Sequence, residues 1–520
     1  MLNYWFFPRP KRKLNSIPEV LATVSMATLK AVWSGDRDRH LMLEESLEKD
    51  GLKREGSRRD QTGGGARTYL AWLKCLGLMF EEKTTKRIYP TIAGEEILNG
   101  ANPVDILTQQ VLKYQFPSSY SLSRSVNVSE RFRVHPFIFV LRLLRDDRIG
   151  ELTQEEIAKV VIVQGENNSN PCYEKVVRQI LEFRHKGDAS LEADFLVKYA
   201  QSKGGRENDP YGHLNEVANT MINWLDYTRL ISREQSTIFI PGYKREYVDD
   251  IIANQPKLID RPEEHEIFQR RYGLIQGKKK DSRNLIETAT ITSNIVEEAR
   301  IKRAIIAESL KTPITAISPA LINVIENLTG CNPKIIEATL YKMYKGGTSG
   351  ALDTFLTGYR EMAFASREQA SEFEKSTKEI MEKIFGYKAK HVGPIGLTPD
   401  VLVISDSEGY QGIFDNKAYA RYSINNDHHN RMVQNYIKGI SRYNDGCEYP
   451  LNFFSYIAGG FKSTIDEQLS LITQETSIQG SAITVDNFIH LIKEQQHNPK
   501  THADLNRIFS IGREVRITDI

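Results

Sequence analysis

The sequence predicts a multidomain protein in which α+β units rich in helix are followed by a C-terminal α/β domain. Three observations support this prediction. The chain has 520 residues, which is long enough for three or four domains of roughly 100–200 residues each. The order helix, hairpin, helix occurs twice in the N-terminal half. In the C-terminal third, helices and strands alternate in a different order.

The composition is that of an ordinary globular protein. Hydrophobic residues make up 40% of the chain and charged residues 26%, and the net charge is +2, so only the local distribution of charge can indicate a partner. No apolar run is long enough to cross a membrane. Aromatic residues precede basic ones at the N-terminus, so export is not expected. The four cysteines form no CxxC pair, which disfavours a zinc ribbon and favours a reducing cytoplasm.

The first 130 residues contain the first helix, hairpin and helix. Residues 63–79 are predicted to be helical with Gly77 as the stop signal, residues 80–90 to form a hairpin with a polar tip, and TIAGEEIL to begin a second helix. This is the order of a winged helix, and basic residues gather around it. We therefore expect contact with double-stranded DNA, mostly through phosphates and in part through Arg bonded to guanine. The candidate DNA-binding residues are Arg58, Arg59, Arg67, Lys74, Lys86 and Arg87.

A second unit with the same order of elements is predicted over residues 131–260. Two helices come first, the second capped by Thr153 with Glu156 three positions later. A helix, a hairpin and another helix follow. Residues 255–285 are polar and predict a linker, and residues 286–360 predict helices with a Gly-rich break. The predicted domains are two winged-helix-like DNA-recognition units at 1–130 and 131–260, a linker and helical connector at 261–350, and a C-terminal domain at 351–520.

The residues that suggest chemistry lie on a predicted hairpin in the C-terminal domain. Asp400 opens the apolar run VLVI, SDSEG is typical of a turn, and YQGIFDNKAY predicts the second strand. Symmetric pairing about this turn places Val401 opposite Phe414 and therefore Asp400 opposite Asp415, with Cβ atoms about 5 Å apart. Lys417 lies two residues beyond Asp415 and projects from the same face of the strand.

Two carboxylates this close repel each other unless a cation lies near them. Mg²⁺ prefers oxygen ligands and is typically bound by one or two protein carboxylates together with waters and phosphate oxygens. Asp400 and Asp415 are therefore the candidate metal ligands, and Lys417 could orient or help to deprotonate a water molecule. The set is chemically sufficient for hydrolysis of a phosphodiester.

These residues also carry a resemblance to known nucleases. Pro399-Asp400 followed by Asp415-Asn416-Lys417 matches the PD-(D/E)xK motif. The stretches GYKAKHVG, TPDVLVI, GIFDNKAY and FFSYIAGGFKS, within residues 370–520, resemble the cleavage domain of FokI-type restriction endonucleases, which belong to type IIS. Nearer the N-terminus, KYQFPS and HPFIFVLRLL resemble AlwI-type restriction and nicking enzymes.

The resemblance implies a mixed central sheet flanked by helices and a nuclease that requires Mg²⁺. It also implies a helix before the hairpin that supplies another acid; Glu374 and Glu379 match the family's glutamates, and Glu374 is preferred as the additional catalytic residue. The implied enzyme binds a short asymmetric DNA site, cuts at a fixed distance outside it, leaves a 5′-phosphate and works in a prokaryotic cytoplasm.

One departure from the family leaves the oligomeric state open. FokI-type domains dimerise through an acid and an arginine one turn apart, and the aligned positions here are Arg431 and Asn435. Double-strand cleavage could use a transient homodimer with other contacts, or a partner subunit. The alternatives are a strand-specific nicking enzyme or the large subunit of a heterodimer, a winged-helix regulator with an inactive nuclease fold, and a repair nuclease that recognises DNA structure.

Overall fold

The computed structural model describes residues 2–29, 31–56, 62–122, 128–199, 211–285, 292–365, 369–393 and 397–520. Arg58 and Arg59 lie outside these ranges. The chain divides into two compact units. The first consists of Met1–Ala307 and Ile317–Gly350, and the second of Glu308–Ala316 and Ala351–Ile520. None of the described helices has both the length and the apolar character needed to cross a membrane.

The described α-helices, in chain order, are α1 Ile17–Thr28, α2 Arg37–Lys49, α3 Gly64–Cys75, α4 Ile92–Leu98, α5 Pro103–Lys113, α6 Ser119–Leu122, α7 Pro136–Arg145, α8 Gln154–Glu156, α9 Ile162–Gln164, α10 Asn170–Lys186, α11 Phe195–Tyr199, α12 Gly212–Tyr227, α13 Arg245–Ala253, α14 His265–Tyr272, α15 Ser293–Ser309, α16 Pro319–Thr329, α17 Pro333–Met343, α18 Ser349–Met362, α19 Ala370–Lys383, α20 Asn426–Asn430, α21 Ile465–Thr476, α22 Val485–His497 and α23 His502–Phe509. Two segments are π-helical, Ile157–Val161 and Arg431–Ile437.

The described strands are β1 Met79–Glu81, β2 Ile88–Pro90, β3 Glu151–Thr153, β4 Ser232–Glu234, β5 Thr237–Phe239, β6 Lys388–His391, β7 Val401–Ser405, β8 Tyr410–Lys417, β9 Leu451–Ala458 and β10 Gln479–Thr484. They form three sheets. The strand orders are β1-β2, β3-β5-β4 and β10-β9-β8-β7-β6.

The first predicted helix, hairpin and helix are present as α3, β1-β2 and α4. Gly77 ends α3 as expected: its φ is +66°, and the Leu78 N–H donates to the Leu73 carbonyl at 2.9 Å. Many helices end in this way, with a residue at positive φ followed by an N–H that bonds back to a carbonyl of the last turn. Glycine suits the position because it has no Cβ atom to clash. The Thr91 side chain then caps α4 by accepting from the Gly94 N–H. Whether this assembly acts as a winged helix stays a prediction.

The second predicted helix, hairpin and helix are present as α12, β4-β5 and α13. The predicted capping box is confirmed, because Thr153 and Glu156 each accept the other's backbone N–H. The structure adds β3, which pairs antiparallel with β5. The sequence pattern did not predict this strand, since three residues are too few to show an alternation of polar and apolar side chains.

The first unit has a large hydrophobic core that runs from Trp5 to Tyr272 and contains all four tryptophans. It includes buried residues from both predicted recognition domains, and the boundary between them at residue 130 stays a prediction. The segment that was expected to be a linker contains α14. Phe268 and Tyr272 lie one turn apart on this helix and are buried, and the side chain of Gln269 donates to the Lys74 carbonyl at 2.7 Å.

The second unit contains the mixed sheet that the resemblance implied. Strands β8, β9 and β10 are parallel neighbours, whereas β7 is antiparallel to both β8 and β6. Because successive side chains on a strand face opposite ways, each face of the sheet builds its own core. One core includes Phe373, Phe414 and Phe488, and the other includes Ile413 and Tyr422. Helices α18, α19, α22 and α23 contribute to the first core, and the π-helix and α21 to the second.

Candidate active site

The hairpin β7-β8 brings the predicted site residues together. Val401 pairs with Phe414 and Leu402 with Ile413, which is the register that the sequence predicted. Asp400 immediately precedes β7 and Lys417 ends β8, so both lie at the end of the hairpin away from its turn. The backbone N–H of Asn416 donates to Asp400 Oδ2 at 2.6 Å. This bond fixes the Asp400 carboxylate beside the second strand.

Asp415 and Lys417 share one face of β8, as their spacing predicted. Lys417 Nζ lies 2.6 Å from Asp415 Oδ2, and Asp415 is 2% exposed. In β9, Tyr456 is the register partner of Asp415. Asp415 Oδ1 and the Tyr456 hydroxyl are both buried and have no hydrogen-bond partner among the described residues. Asp415 and its register partner therefore each carry an oxygen without a hydrogen-bond partner. A buried polar atom in this state is unfavourable.

The electrostatics of the site are those of two acids that share one cation. Burial and the negative charge of Asp415 raise the pKa of Asp400 well above its usual range, although Lys417 and the Asn416 N–H act in the opposite direction. Burial acts to lower the pKa of Lys417, but Asp415 and Asp400 outweigh it and the pKa is raised. Lys417 is therefore a protonated ammonium group at neutral pH, and further positive charge would favour ionised Asp400.

The site fits a divalent metal ion bound by few protein ligands. Among the described residues, no group of three or more His, Cys, Asp or Glu side chains could hold a metal. Asp400 and Asp415 provide a pair of carboxylates, and Asp415 Oδ1 has no other partner within the described chain. This donor set suits Mg²⁺, which takes one or two carboxylates and retains waters and phosphate oxygens.

Glu374 is a helical acid whose charge acts on this site. It lies on α19, its charge acts on both Asp400 and Lys417, and its Oε2 is 2.9 Å from His391 Nε2. Glu379, the other acid that matched the family, instead pairs with Lys378 and Lys383. The structure therefore favours Glu374 over Glu379 as the acid facing the site, while the catalytic role of Glu374 stays a prediction.

Residues outside the motif support the site, and no sequence pattern predicted them. The Asn416 side chain donates to Thr377 Oγ1 on α19 at 2.6 Å, and Thr377 donates to the Phe373 carbonyl. The Tyr359 hydroxyl lies 2.7 Å from the same Thr377 oxygen. These bonds tie strand β8 to helices α18 and α19. The only signal for Thr377 in the sequence was its position on the apolar face of the predicted helix.

The described candidate DNA-binding residues lie around α3 and the β1-β2 hairpin. Arg67 donates to the carbonyl and the hydroxyl of Thr62, and Lys74 Nζ is 4.0 Å from Glu81 Oε2. Lys86 is exposed at the hairpin turn, with φ of +57°, and Arg87 is partly exposed. All four residues thus belong to one assembly of elements, and their contacts with DNA stay predictions.

The positions that aligned with the family's dimer contacts lie at the junction of α20 and the following π-helix. Arg431 forms an ion pair with Asp427 at 2.8 Å, one turn earlier on the same segment. Asn435 contributes its carbonyl, which accepts from Arg442 Nη2 at 2.7 Å. Both residues therefore make contacts within the chain.

Two family models match the chain. The model "FokI, cleavage domain" matches residues 330–516, which includes Asp400, Asp415 and Lys417. The model "AlwI restriction endonuclease" matches residues 74–320. Both resemblances noted in the sequence are thereby confirmed. No curated protein matches the chain.

Solved structures with low similarity to the chain include two of the restriction endonuclease FokI and one of an endonuclease binding domain. FokI is 16% identical, with a TM-score of 0.29, and the match covers 99% of each chain. FokI bound to DNA is 14% identical, with a TM-score of 0.28, covering 96% of this chain and 98% of the other. The BpuJ1 endonuclease binding domain in complex with pyrene- and phenanthrene-modified DNA is 14% identical, with a TM-score of 0.35. The match covers 52% of this chain and 96% of the other. At these TM-scores, the likenesses add nothing to the family matches.

The two family matches occupy separate regions, which follow one another along the chain and account for most of its length. The C-terminal match contains the paired carboxylates and the lysine, and the N-terminal match contains β1-β2 and most of the first unit. The chain therefore combines a region that matches the FokI cleavage domain with a region that matches the AlwI restriction endonuclease, and together these matches indicate a site-specific deoxyribonuclease.

Proposed function

We propose that the chain is a type IIS restriction endonuclease that requires Mg²⁺. It binds a short asymmetric site in double-stranded DNA and hydrolyses phosphodiester bonds at a fixed distance outside that site. The observation that carries the proposal is the meeting of Asp400, Asp415 and Lys417 at one end of the β7-β8 hairpin, with Lys417 Nζ 2.6 Å from Asp415 Oδ2.

Each residue of the site has a role that its surroundings support. Asp400 and Asp415 would hold Mg²⁺, which polarises a scissile phosphate and stabilises the leaving oxygen. The Asn416 N–H keeps Asp400 Oδ2 in place. Lys417 remains protonated between the two acids, so it can orient the attacking water and the phosphate. Glu374 would accept a proton or a hydrogen bond from that water, held in its position by His391.

Recognition of the DNA site would be the task of the first unit. Arg67, Lys74, Lys86 and Arg87 lie on or beside α3 and the β1-β2 hairpin. Contacts of Lys and Arg with phosphates give affinity that falls with salt, whereas sequence is recognised at the base edges. The order of the chain, with basic residues first and paired acids last, supports a protein that binds in one place and cuts in another.

The test is digestion of a large plasmid in Mg²⁺ by the wild-type protein and by Asp400→Asn, followed by sequencing of the ends. Discrete fragments from the wild type alone, with ends at a constant offset from one shared short sequence, are the expected result. Asp445→Asn is the matched control, because Asp445 is an exposed acid paired with Lys390 in the same unit. DNA binding without cutting by the wild-type protein would contradict the proposal and favour the regulator.

The same digestion distinguishes double-strand cleavage from nicking. Arg431 and Asn435 stand where the family has its acid and arginine, so a dimer would use other contacts or a partner subunit. Linear product whose rate rises more steeply than the protein concentration would support a transient homodimer. Open circles alone, at every concentration, would identify a strand-specific nicking enzyme.

A further inference from the structure

The segment that follows the catalytic lysine holds an exposed aromatic ring. Tyr419 lies two residues beyond Lys417 and its N–H donates to the Lys417 carbonyl at 2.7 Å. Tyr419 is 48% exposed, although it follows shortly after β8, in which almost every residue is buried. A large exposed ring beside a catalytic residue suggests contact with a partner, because such rings are more often buried.

The rings of Tyr422 and His428 support the Tyr419 ring. The Tyr419 ring lies over that of Tyr422, with centroids 6.0 Å apart and an angle of 26° between the planes. Tyr422 is buried, lies over His428 at 5.7 Å, and its hydroxyl is 2.9 Å from His428 Nδ1. The outer face of Tyr419 is therefore presented by a fixed assembly, which lowers the entropy lost when a ligand binds.

The backbone of this segment is also fixed. The Tyr422 N–H donates to the Gly460 carbonyl at 2.8 Å, and the Lys462 N–H donates to the Tyr422 carbonyl at 2.9 Å. At Gly460, a Cβ atom would lie 2.5 Å from the Ala420 carbonyl oxygen, so the close approach of the two segments requires glycine. The GGFK stretch that resembled the family thus holds the Tyr419 segment in place.

The chemistry of this surface suits a nucleotide. An exposed aromatic face can stack on any base. Lys462 is exposed, its backbone N–H bonds to the Tyr422 carbonyl, and its ammonium group suits a phosphate. Within the described chain, no carboxylate forms an ion pair with Lys462. Tyr419 provides a ring two residues from Lys417, and Lys462 provides a positive charge beside the segment that holds this ring.

We propose that Tyr419 stacks against a nucleotide adjoining the scissile phosphate and so positions the DNA strand at Lys417. This inference rests on the proposed nuclease site and assigns it a further substrate contact. Tyr419 would act by stacking and not through its hydroxyl, so its contribution depends on the ring and not on the base sequence.

The test compares cleavage of a plasmid with one mapped site, in Mg²⁺ and with the full chain in excess over DNA. Tyr419→Ala should slow cleavage about 5- to 100-fold, as expected for loss of one stacking contact, and Tyr419→Phe should restore most of the rate. Tyr449→Ala is the control. Tyr449 is 39% exposed and lies beside Gly409 in the turn at the opposite end of the hairpin, so its loss should leave the rate unchanged.

A second measurement distinguishes stacking from a structural effect. An abasic position is moved along the DNA on either side of the mapped cut. In the wild type, one position should slow cleavage, and in Tyr419→Ala the same position should add no further loss. Equal rates for Tyr419→Ala and wild type, equal slowing in Tyr419→Phe and Tyr419→Ala, or additive effects at every abasic position would each overturn the inference.

Two further outcomes would have a different meaning. If the defect of Tyr419→Ala disappears at high protein concentration, the ring contacts a second copy of the chain, and the nucleotide contact is wrong. Failure of the proposed function itself looks different: the wild type would not cut, or Asp400→Asn would cut as fast as the wild type.

Discussion

Asp400 is a residue at which stability and function oppose each other. Its carboxyl is held near Asp415, and burial together with that neighbouring charge raises its pKa. An ionised acid in this position destabilises the folded protein in the absence of a metal, because one lysine serves two carboxylates. Catalytic sites often retain such unfavourable charge, which other parts of the fold offset.

Replacing Asp400 by Asn should therefore separate stability from activity. The amide oxygen can still accept the Asn416 N–H, while the like-charge repulsion is removed. We expect the free energy of unfolding in metal-free buffer to rise at neutral pH, because an acid whose pKa is raised in the folded state destabilises that state above its ordinary pKa, and we expect cleavage to be lost. Denaturant unfolding with EDTA measures the first effect. A variant less stable than the wild type would contradict this account of the site.

Thr377 is the acceptor that joins the catalytic strand to α19. Thr377→Val keeps the shape of the side chain but leaves the Asn416 Nδ2 donor without this acceptor. We expect the free energy of unfolding to fall by about 1–3 kcal/mol, because a buried donor without a partner is unfavourable. We also expect slower cleavage, because the Asn416 N–H positions Asp400. Thr357→Val is the control, since the Thr357 hydroxyl bonds to a carbonyl of its own helix. Equal losses of stability and rate in both variants would exclude the proposed link.

How far the site could be predicted depends on whether each contact is local. Asp400, Asp415 and Lys417 were predictable because a hairpin and a two-residue strand period determine which side chains meet. Thr377 and Tyr419 were not. Thr377 reaches Asn416 only because α19 packs on the sheet, and Tyr419 is held by a segment that follows the next strand. Neither arrangement leaves a pattern within the local sequence.

The β1-β2 hairpin is stabilised by the carboxylate of Glu82, which lies in its turn. Glu82 accepts from the N–H groups of Thr84 and Thr85 at 2.7 and 2.6 Å and from the Thr85 hydroxyl. Burial would raise the pKa of Glu82, but these hydrogen bonds lower it to about 2. The turn that carries Lys86 is thus held by an ionised side chain.

This turn should make the first unit sensitive to acid. Because the pKa of Glu82 is lower in the folded state than its ordinary value of 4.5, its contribution is present above about pH 4.5 and is lost as the pH falls toward 2. We expect Glu82→Gln to lower the unfolding temperature at pH 6 and the difference from wild type to shrink by pH 3. Thermal unfolding across this range is the measurement, with Glu81→Gln as the control. A difference that does not change with pH would contradict the assignment.

The Gly459–Gly460 segment is the element that fixes the loop after the catalytic strand. Gly460→Ala places a Cβ atom against the Ala420 carbonyl oxygen, so the loop must shift. We expect cleavage to slow by about 10-fold or more, since misplacement by 1 Å can cost about 10²-fold in rate, while DNA binding is retained. Gly358→Ala is the control, because its nearest atom, the Leu310 carbonyl oxygen, is 3.8 Å away. A Gly460→Ala protein that cuts at the wild-type rate would show that the close approach is dispensable.

The helices and hairpins were predictable where a periodic pattern of apolar residues extends over enough of the sequence. Helices α3, α4, α12 and α13 and both hairpins follow from apolar spacing, caps and turn residues. Strand β3 and helix α14 did not follow, because β3 is three residues long and α14 lies within a polar stretch. In α14, two buried aromatic residues outweigh the polar composition of the surrounding segment.

The two units have separate hydrophobic cores. The core of the first unit runs from Trp5 to Tyr272, and the second unit builds two cores on the faces of its sheet. A unit with a complete core can fold alone. The C-terminal fragment 308–520 contains both segments of the second unit and every proposed catalytic residue.

This fragment should therefore fold and cut DNA without preference for a site, because the proposed recognition residues are absent. We expect a cooperative thermal transition, and in Mg²⁺ a broad distribution of products, whereas the full chain should give discrete fragments. The fragment carrying Asp400→Asn is the control for contaminating nucleases. A folded fragment that cuts nothing while the full chain cuts would mean that the first unit is needed for catalysis, and discrete products from the fragment would place sequence recognition in the second unit.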